Sequence, residues 1–169
     1  MLQTVILTLF PALLVFGAVS DLLTFKIPNW VSLALVGLFV VAAPLAGVSW
    51  AVIGSHLAIG VVLLLAGMGM FALKLLGGGD AKLLAASGLW MGWAALPSYF
   101  FWVAIIGGML AFALVAFRRT PLTAGIAQYP WISRLHDRGA GIPYGIALAA
   151  GALMTLPQTI WFSVAAIPA

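Results

Sequence analysis

The sequence has no cysteine and no glutamate, and its only carboxylate side chains are those of Asp21, Asp80 and Asp137. Without cysteine there is no disulfide, no thiolate nucleophile and no Cys-ligated zinc. Without glutamate there is no HExxH metalloprotease, no glutamate-based CAAX-type protease and no Glu proton relay. Two histidines, His56 and His136, make a poor metal site without such partners. Charge of either sign is scarce: 6% of the residues are charged, against about 25% in an ordinary soluble domain. Hydrophobic side chains fill the gap, at 65% of the residues and a mean hydropathy of +1.25. A soluble fold of 169 residues has too little interior to hide that much apolar surface. A bilayer removes the problem. We therefore expect an all-α, polytopic transmembrane helix bundle, built as a single membrane-embedded domain over residues 1–169.

A spanning helix needs roughly 20 apolar residues. The apolar runs predict six spans, about Leu2 to Ser20, Asn29 to Leu45, Trp50 to Leu76, Ala81 to Leu96, Pro97 to Phe117 and Ile142 to Val164. The first lacks a basic leader and ends in Ser20-Asp21 rather than a small-residue cleavage site, so it reads as a retained span. Lys26 falls in the first loop, Lys74 and Lys82 around the third, and Arg118, Arg119, Arg134 and Arg138 in the fifth. The second and fourth loops carry no charge. With six spans all the basic loops share one side, and the positive-inside rule makes that side cytoplasmic with both termini outside. The net charge of +4 is thus topology control; scattered in short loops, it forms no phosphate-binding stripe, and nucleic acid is not an expected partner. The cytoplasmic loop 118–141 sets Trp131, Ile132 and Leu135 at helical spacing beside Arg134 and Arg138. It is either a short helix lying on the leaflet or a solvated connector.

Asp137 lies between His136 and Arg138 in that polar loop and reads as a solvated charge. Asp21 and Asp80 differ. One closes the first apolar run and the other opens the fourth, so both lie at the cytoplasmic ends of helices. A carboxylate beside hydrocarbon is expensive to keep and marks a functional site. If the two converge they share a proton, and one can accept a proton from water while the other donates to a carbonyl. The competing reading of Asp80 is a helix N-cap before Ala81-Lys82-Leu83, and Asp21 alone reads equally as an interfacial charge. Gly77-Gly78-Gly79, without Cβ and with easy access to positive φ, lets another backbone approach Asp80 or simply makes a flexible turn. The short fourth span, roughly 24 Å for about 16 residues, recesses Asp80 below the surface. Pro28 fixes φ and Asn29 is placed to cap the second span. Lys26 and Lys82, close in sequence to the aspartates, either contact the carboxylates or substrate or anchor the cytoplasmic side. A His56–Ser87 dyad is weak, since the Gly-x-Ser-Gly of rhomboid-type proteases is absent. The GxxxG pairs Gly88/Gly92 and Gly141/Gly145 read as helix-packing faces.

Taken together, Ser20-Asp21 with Lys26-Ile27-Pro28-Asn29, Gly77-Gly78-Gly79-Asp80-Ala81-Lys82 and Ile142-Pro143-Tyr144-Gly145 resemble the type IV prepilin peptidase family, the GxGD-type membrane aspartyl proteases. The chain looks most like the short members associated with Tad/Flp pilus assembly. The resemblance implies a bacterial cytoplasmic-membrane aspartic endopeptidase with Asp21 and Asp80 as its catalytic pair and with no metal or organic cofactor. Its substrate would be a prepilin, a basic leader followed by a hydrophobic helix, cut at the cytoplasmic face with that helix beside the enzyme in the bilayer. Long members carry a cytoplasmic region with paired cysteines and methylate the new pilin N-terminus; this chain has neither cysteine nor room for that region, which argues against methyl transfer. With only Asp137 to spare, the basic leader is left to backbone contacts, loop carbonyls or anionic lipid. Two rival readings stay open. A small proton-coupled transporter predicts carboxylates near mid-membrane and an inverted repeat. A non-enzymatic scaffold subunit predicts that Asp→Asn changes at 21 and 80 are tolerated.

Overall fold

The computed structural model describes residues 2–164, and these are helical with no strand among them. The helices are α1 (Leu2–Thr24), α2 (Asn29–Leu45), α3 (Trp50–Ala72), α4 (Gly78–Phe117), α5 (Ala124–Ala127), α6 (Pro130–His136), α7 (Gly145–Thr155) and α8 (Ile160–Val164), with a 3-10 turn, Leu156–Gln158, before the last. Three of them, α1, α3 and α4, are long and apolar enough to cross a membrane, and α2 and Gly145–Gln158 are shorter apolar helices. The outside of the bundle is as apolar as its inside. Leu33, Leu65, Met109 and Phe112 are exposed, while Phe10, Leu14, Phe39, Trp90, Tyr99 and Trp161 are buried in the core. That distribution suits lipid rather than water as the surrounding solvent. The chain is a membrane helix bundle.

Helix α4 accounts for two of the expected spans. A straight helix of 40 residues would be about 60 Å long, twice the hydrocarbon core. Instead it breaks at Gly92, whose φ of 70° and ψ of 167° are not helical. In a straight helix Ser87 and Tyr99 would lie about 18 Å apart along the axis. Here their hydroxyls share a 2.7 Å hydrogen bond, so the two halves of α4 double back on each other. The expected boundary at Leu96/Pro97 is therefore corrected to Gly92. The signal is conformational, because only glycine adopts such a backbone without strain.

A helix interrupted in this way withholds the N–H partners that the carbonyls of its preceding turn would use. Side chains supply donors there. His56 Nδ1 lies 2.7 Å from the Leu89 carbonyl, and Trp161 Nε1 donates to the Trp90 carbonyl at 2.8 Å. Phe39, Trp90 and Trp161 pack edge-on and tilted around the same point, so the break is buried in aromatic side chains. In keeping with the weakness of that reading, His56 and Ser87 form no dyad, since Ser87 bonds to Tyr99 and to the Leu83 carbonyl. One expectation is corrected. Gly92 is a hinge rather than half of a helix-packing motif, whereas Gly88 does pack closely, where a Cβ would overlap Leu63.

The third expected span ends earlier, at Ala72. Lys74 takes a left-handed conformation (φ 60°), and the N–H groups of Lys74 and Leu75 donate back to Phe71 and Met70, each at 2.9 Å. This is a Schellman termination with lysine in the usual glycine place. The sixth expected span is also not one helix: α7 gives way to the Leu156–Gln158 turn, which contains Pro157, and α8 follows. Gly141 lies in the connection before α7 and Gly145 begins it, so that GxxxG does not sit on one helix face. The loop 118–141 does contain a short helix, α6, with Leu135 buried on it.

Candidate active site

Asp21 lies in the last turn of α1, followed by a tight turn. Phe25 is left-handed (φ 55°) and its N–H donates to the Asp21 carbonyl at 2.8 Å. The Ser20 hydroxyl reaches over the turn to the Lys26 carbonyl at 2.8 Å, and Thr24 bonds back to Ser20 at 2.7 Å. Pro28, at φ −60°, then caps α2 without any side-chain bond. Asn29 is thus the first residue of α2 rather than its cap. Its Oδ1 instead accepts from Lys82 Nζ at 2.8 Å, tying α2 to α4.

Asp80 is in the first turn of α4. The N-cap is Gly77, with no side-chain cap bond, so the capping reading of Asp80 is corrected: a carboxylate three residues inside the helix is favoured by the dipole without serving as the cap. Gly77, Gly78 and Gly79 all keep negative φ, so their importance here is space. A Cβ on Gly77 would come within 2.6 Å of Asp80 Oδ2, and one on Gly79 within 3.1 Å of Ile27 Cβ and 3.3 Å of its backbone N. The backbone that approaches the glycine run is the turn leaving α1. That approach brings Asp21 and Asp80 together.

Both carboxylates are buried, at 5% and 8% exposure, and the charge of Asp21 acts on Asp80. Asp21 stands at a helix C-terminus, where the dipole opposes a negative charge. The compensation comes from α7, whose first residue, Gly145, donates its N–H to Asp21 Oδ2 at 2.8 Å. Asp80 Oδ1 is buried with no hydrogen-bond partner among the described residues.

The pair separates two pockets that share Asp21, Phe25, Gly77 and Asp80 in their walls. The larger, about 1020 Å³, is walled by Phe25, Met70, Phe71, Leu75, Leu76 and Tyr144, with Lys74 among its lining. The smaller, about 250 Å³, is lined by Lys26, Ile27, Asn29 and the three glycines. Two carboxylates that both line these pockets can exchange protons with a water and with a bound carbonyl.

Of the other expected site residues, Pro143 is buried and Tyr144 lines the large pocket. Tyr144 lies against Gly107, where a Cβ would come within 2.5 Å of its hydroxyl. Lys26 and Lys82 form no ion pair with either aspartate among the described residues; Lys26 contributes its carbonyl to the turn. Asp137 is apart from the site, accepting the Gly139 N–H at 2.8 Å. Sequence reasoning missed Phe25 and Lys74. They are the non-glycine residues at positive φ, and both line the large pocket; no composition or spacing signal marks such a backbone. It also missed Arg118, whose Nε donates to Leu135 O at 2.8 Å and Nη2 to Gly141 O at 2.7 Å, so that one guanidinium holds both ends of the segment leading into Gly145.

Comparison with known proteins adds a family match. Residues 8–112 match the model of the type IV leader peptidase family, a stretch that contains Asp21, the Lys26–Asn29 turn, the glycine run and Asp80. No curated protein and no solved structure gave a match. The chain belongs to the type IV leader peptidase family.

Proposed function

We propose that this leader peptidase is an aspartic endopeptidase of the bacterial cytoplasmic membrane. It removes the leader of type IV-like, Flp-type prepilins at the cytoplasmic face, with Asp21 and Asp80 as the catalytic pair. The observation that carries the reading is that the two buried carboxylates line the same two pockets, 59 residues apart in sequence. Both are at helix ends, where a transporter would want them near the middle of a span.

The chemistry follows from the pair. A water held between the carboxylates gives its proton to the ionised one as its oxygen attacks the peptide carbonyl carbon. The protonated partner donates to the carbonyl oxygen, producing a neutral gem-diol. Collapse of the diol breaks the C–N bond: the amine leaves with a proton from the carboxyl group that gained one, and a diol hydroxyl returns its proton to the other carboxylate. The Gly145 N–H fixes the orientation of Asp21. An extended peptide laid from the small pocket to the large one sets its scissile carbonyl over the pair. The residues 1–169 act as one peptidase domain, and no metal takes part in these steps.

The reading is tested by co-expressing a prepilin with wild type, Asp21→Asn or Asp80→Asn and following the mobility shift of processing, with enzyme abundance measured. Loss of processing in both variants at normal abundance supports the pair. Full processing by either one removes the mechanism and favours a scaffold.

A further inference from the structure

Although α2 and α3 are consecutive, joined through residues 46–49, they do not pack along their lengths; both lean on α4 instead. Between them lies an open, almost wholly apolar groove of about 420 Å³. Its walls have a regular pattern. From α2 it is lined by Asn29, Ser32, Leu33 and Val36. From α3 it is lined by Leu57, Gly60, Val61 and Leu64. Its floor on α4 is Lys82, Ala85, Ala86 and Leu89. Each set runs i, i+3, i+4, i+7, the seam that a helix presents to a helical partner. Three two-turn seams face one space that none of the described helices fills.

The chemistry of the walls says what fits. Gly60, Ala85 and Ala86 are small and permit close backbone approach, as at helix contacts in bilayers. Val61 is 57% and Leu33 70% exposed. Ser32, buried at 7%, lines it too, and its Oγ has no hydrogen-bond partner among the described residues. One end is polar, closed by the Lys82–Asn29 bond, and Asn29 also lines the small pocket that holds Asp21 and Asp80. The groove and the carboxylate site thus meet at Asn29, a residue of both linings. Both α2 and α4 begin at that end, so a helix laid parallel to them has its N-terminus beside the carboxylates.

We infer that this groove is the docking site for the apolar helix of the substrate. That helix packs its first two turns, about 11 Å, against α2, α3 and α4, with the scissile bond preceding it at Asp21 and Asp80. The inference rests on the leader-peptidase reading above and adds to it the surface that selects a helical membrane segment. Extended leader residues then cross the pocket, and the helix starts where Asn29 stands.

The natural absence of cysteine allows a clean test. Single cysteines at Val61 or Leu64, and a control at Phe112 on the exposed surface, are introduced into the Asp80→Asn protein. Each is co-expressed with a prepilin carrying one cysteine in the first two turns of its apolar helix, and the membranes are oxidised. Disulfide adducts at 61 and 64 but not at 112 are expected. In parallel, Val61→Trp fills the groove in the active enzyme. Processing of the membrane-embedded precursor is expected to fall about tenfold, while cleavage of a water-soluble peptide containing only the leader junction stays unchanged. Adducts at 112 as strong as those at 61 and 64, or undiminished processing by Val61→Trp, would mean that lipid fills the groove and would overturn the inference. A wild-type enzyme that processes no precursor at all would instead remove the leader-peptidase reading itself.

Discussion

The backbone N–H of Gly145 donates to Oδ2 of Asp21 at 2.8 Å, joining residues 124 apart in sequence. The bond places the positive end of α7 against a carboxylate that its own helix disfavours. It also explains why this position is glycine. A Cβ there would stand 2.9 Å from Asp21 Oδ2, 3.2 Å from Asp21 Cβ and 2.7 Å from Ile27 Cδ1. No ordinary rotamer change of Asp21 moves its own Cβ out of the way.

Gly145→Ala is accordingly expected to displace Asp21 while leaving the rest of the bundle in place. A misplacement of about 1 Å at a catalytic group costs roughly 100-fold in rate. The same argument applies to Gly77→Ala, whose Cβ would fall 2.6 Å from Asp80 Oδ2. Prepilin processing by each variant, beside its thermal midpoint in detergent, separates a displaced carboxylate from a failed fold. Gly69→Ala is the control, since nothing lies within 4 Å of its added Cβ; it should process normally.

The proposed mechanism requires one carboxylate ionised and the other protonated. Activity should therefore fall on both sides of an optimum, because acid protonates both groups and base ionises both. Asp21→Asn and Asp80→Asn should each lower the rate by roughly 10² to 10⁴-fold at every pH, with no recovery on either limb. Measuring peptide cleavage against pH in detergent checks this. A flat profile in the wild type would argue against a shared proton.

Much of the site was legible in the sequence because scarcity made it so. With no glutamate and three aspartates, Asp21 and Asp80 were the only carboxylates at the ends of apolar runs. The start of α2 at Asn29 and the start of α3 at Trp50 were also readable, since composition changes sharply there. The roles of small residues were harder. The glycine run was read as offering both positive φ and close backbone approach; it keeps negative φ and serves the approach, but of Ile27, from a loop more than fifty residues away that local sequence does not mark. Gly92 looked like a packing glycine and is the hinge, because nothing local separates a glycine that packs from one that turns. Lys82 was read against its sequence neighbour Asp80, whereas its amine reaches Asn29 on another helix.

Arg118 is expected to act as a positioning residue. Its two bonds hold the carbonyls of Leu135 and Gly141, fixing the segment from which Pro143, Tyr144 and Gly145 enter the site. Hydrogen bonds from a charged donor are worth about 1.5–3 kcal/mol each, although this one is only half-buried. Arg118→Ala should reduce processing about tenfold at unchanged thermal midpoint and speed nicking by protease within 118–141. Arg118→Lys, with a single amine in place of the fork, should restore little of either. Normal processing with an intact loop would show that α6 and α7 hold the segment by packing alone.

The break in α4 leads to a prediction about non-additivity. Gly92→Ala places an alanine at φ 70° and ψ 167°, a region essentially reserved for glycine, at a cost of about 1–3 kcal/mol. Its Cβ would also lie 2.7 Å from Cε1 and Nε2 of His56. His56→Ala removes that clash but leaves the Leu89 carbonyl buried without its donor, which costs about 1–3 kcal/mol by itself. The double variant should therefore be destabilised by less than the sum of the single ones, since the steric part of the Gly92→Ala cost vanishes with the imidazole. Thermal midpoints of the four proteins in detergent complete the cycle. Twelve residues separate Gly92 from Asp80, about 18 Å of helix, so the fraction that remains folded should process prepilin at the wild-type rate. A loss of rate in the folded single variants would mean that the hinge sets the register of the Asp80 half of α4 as well as its stability.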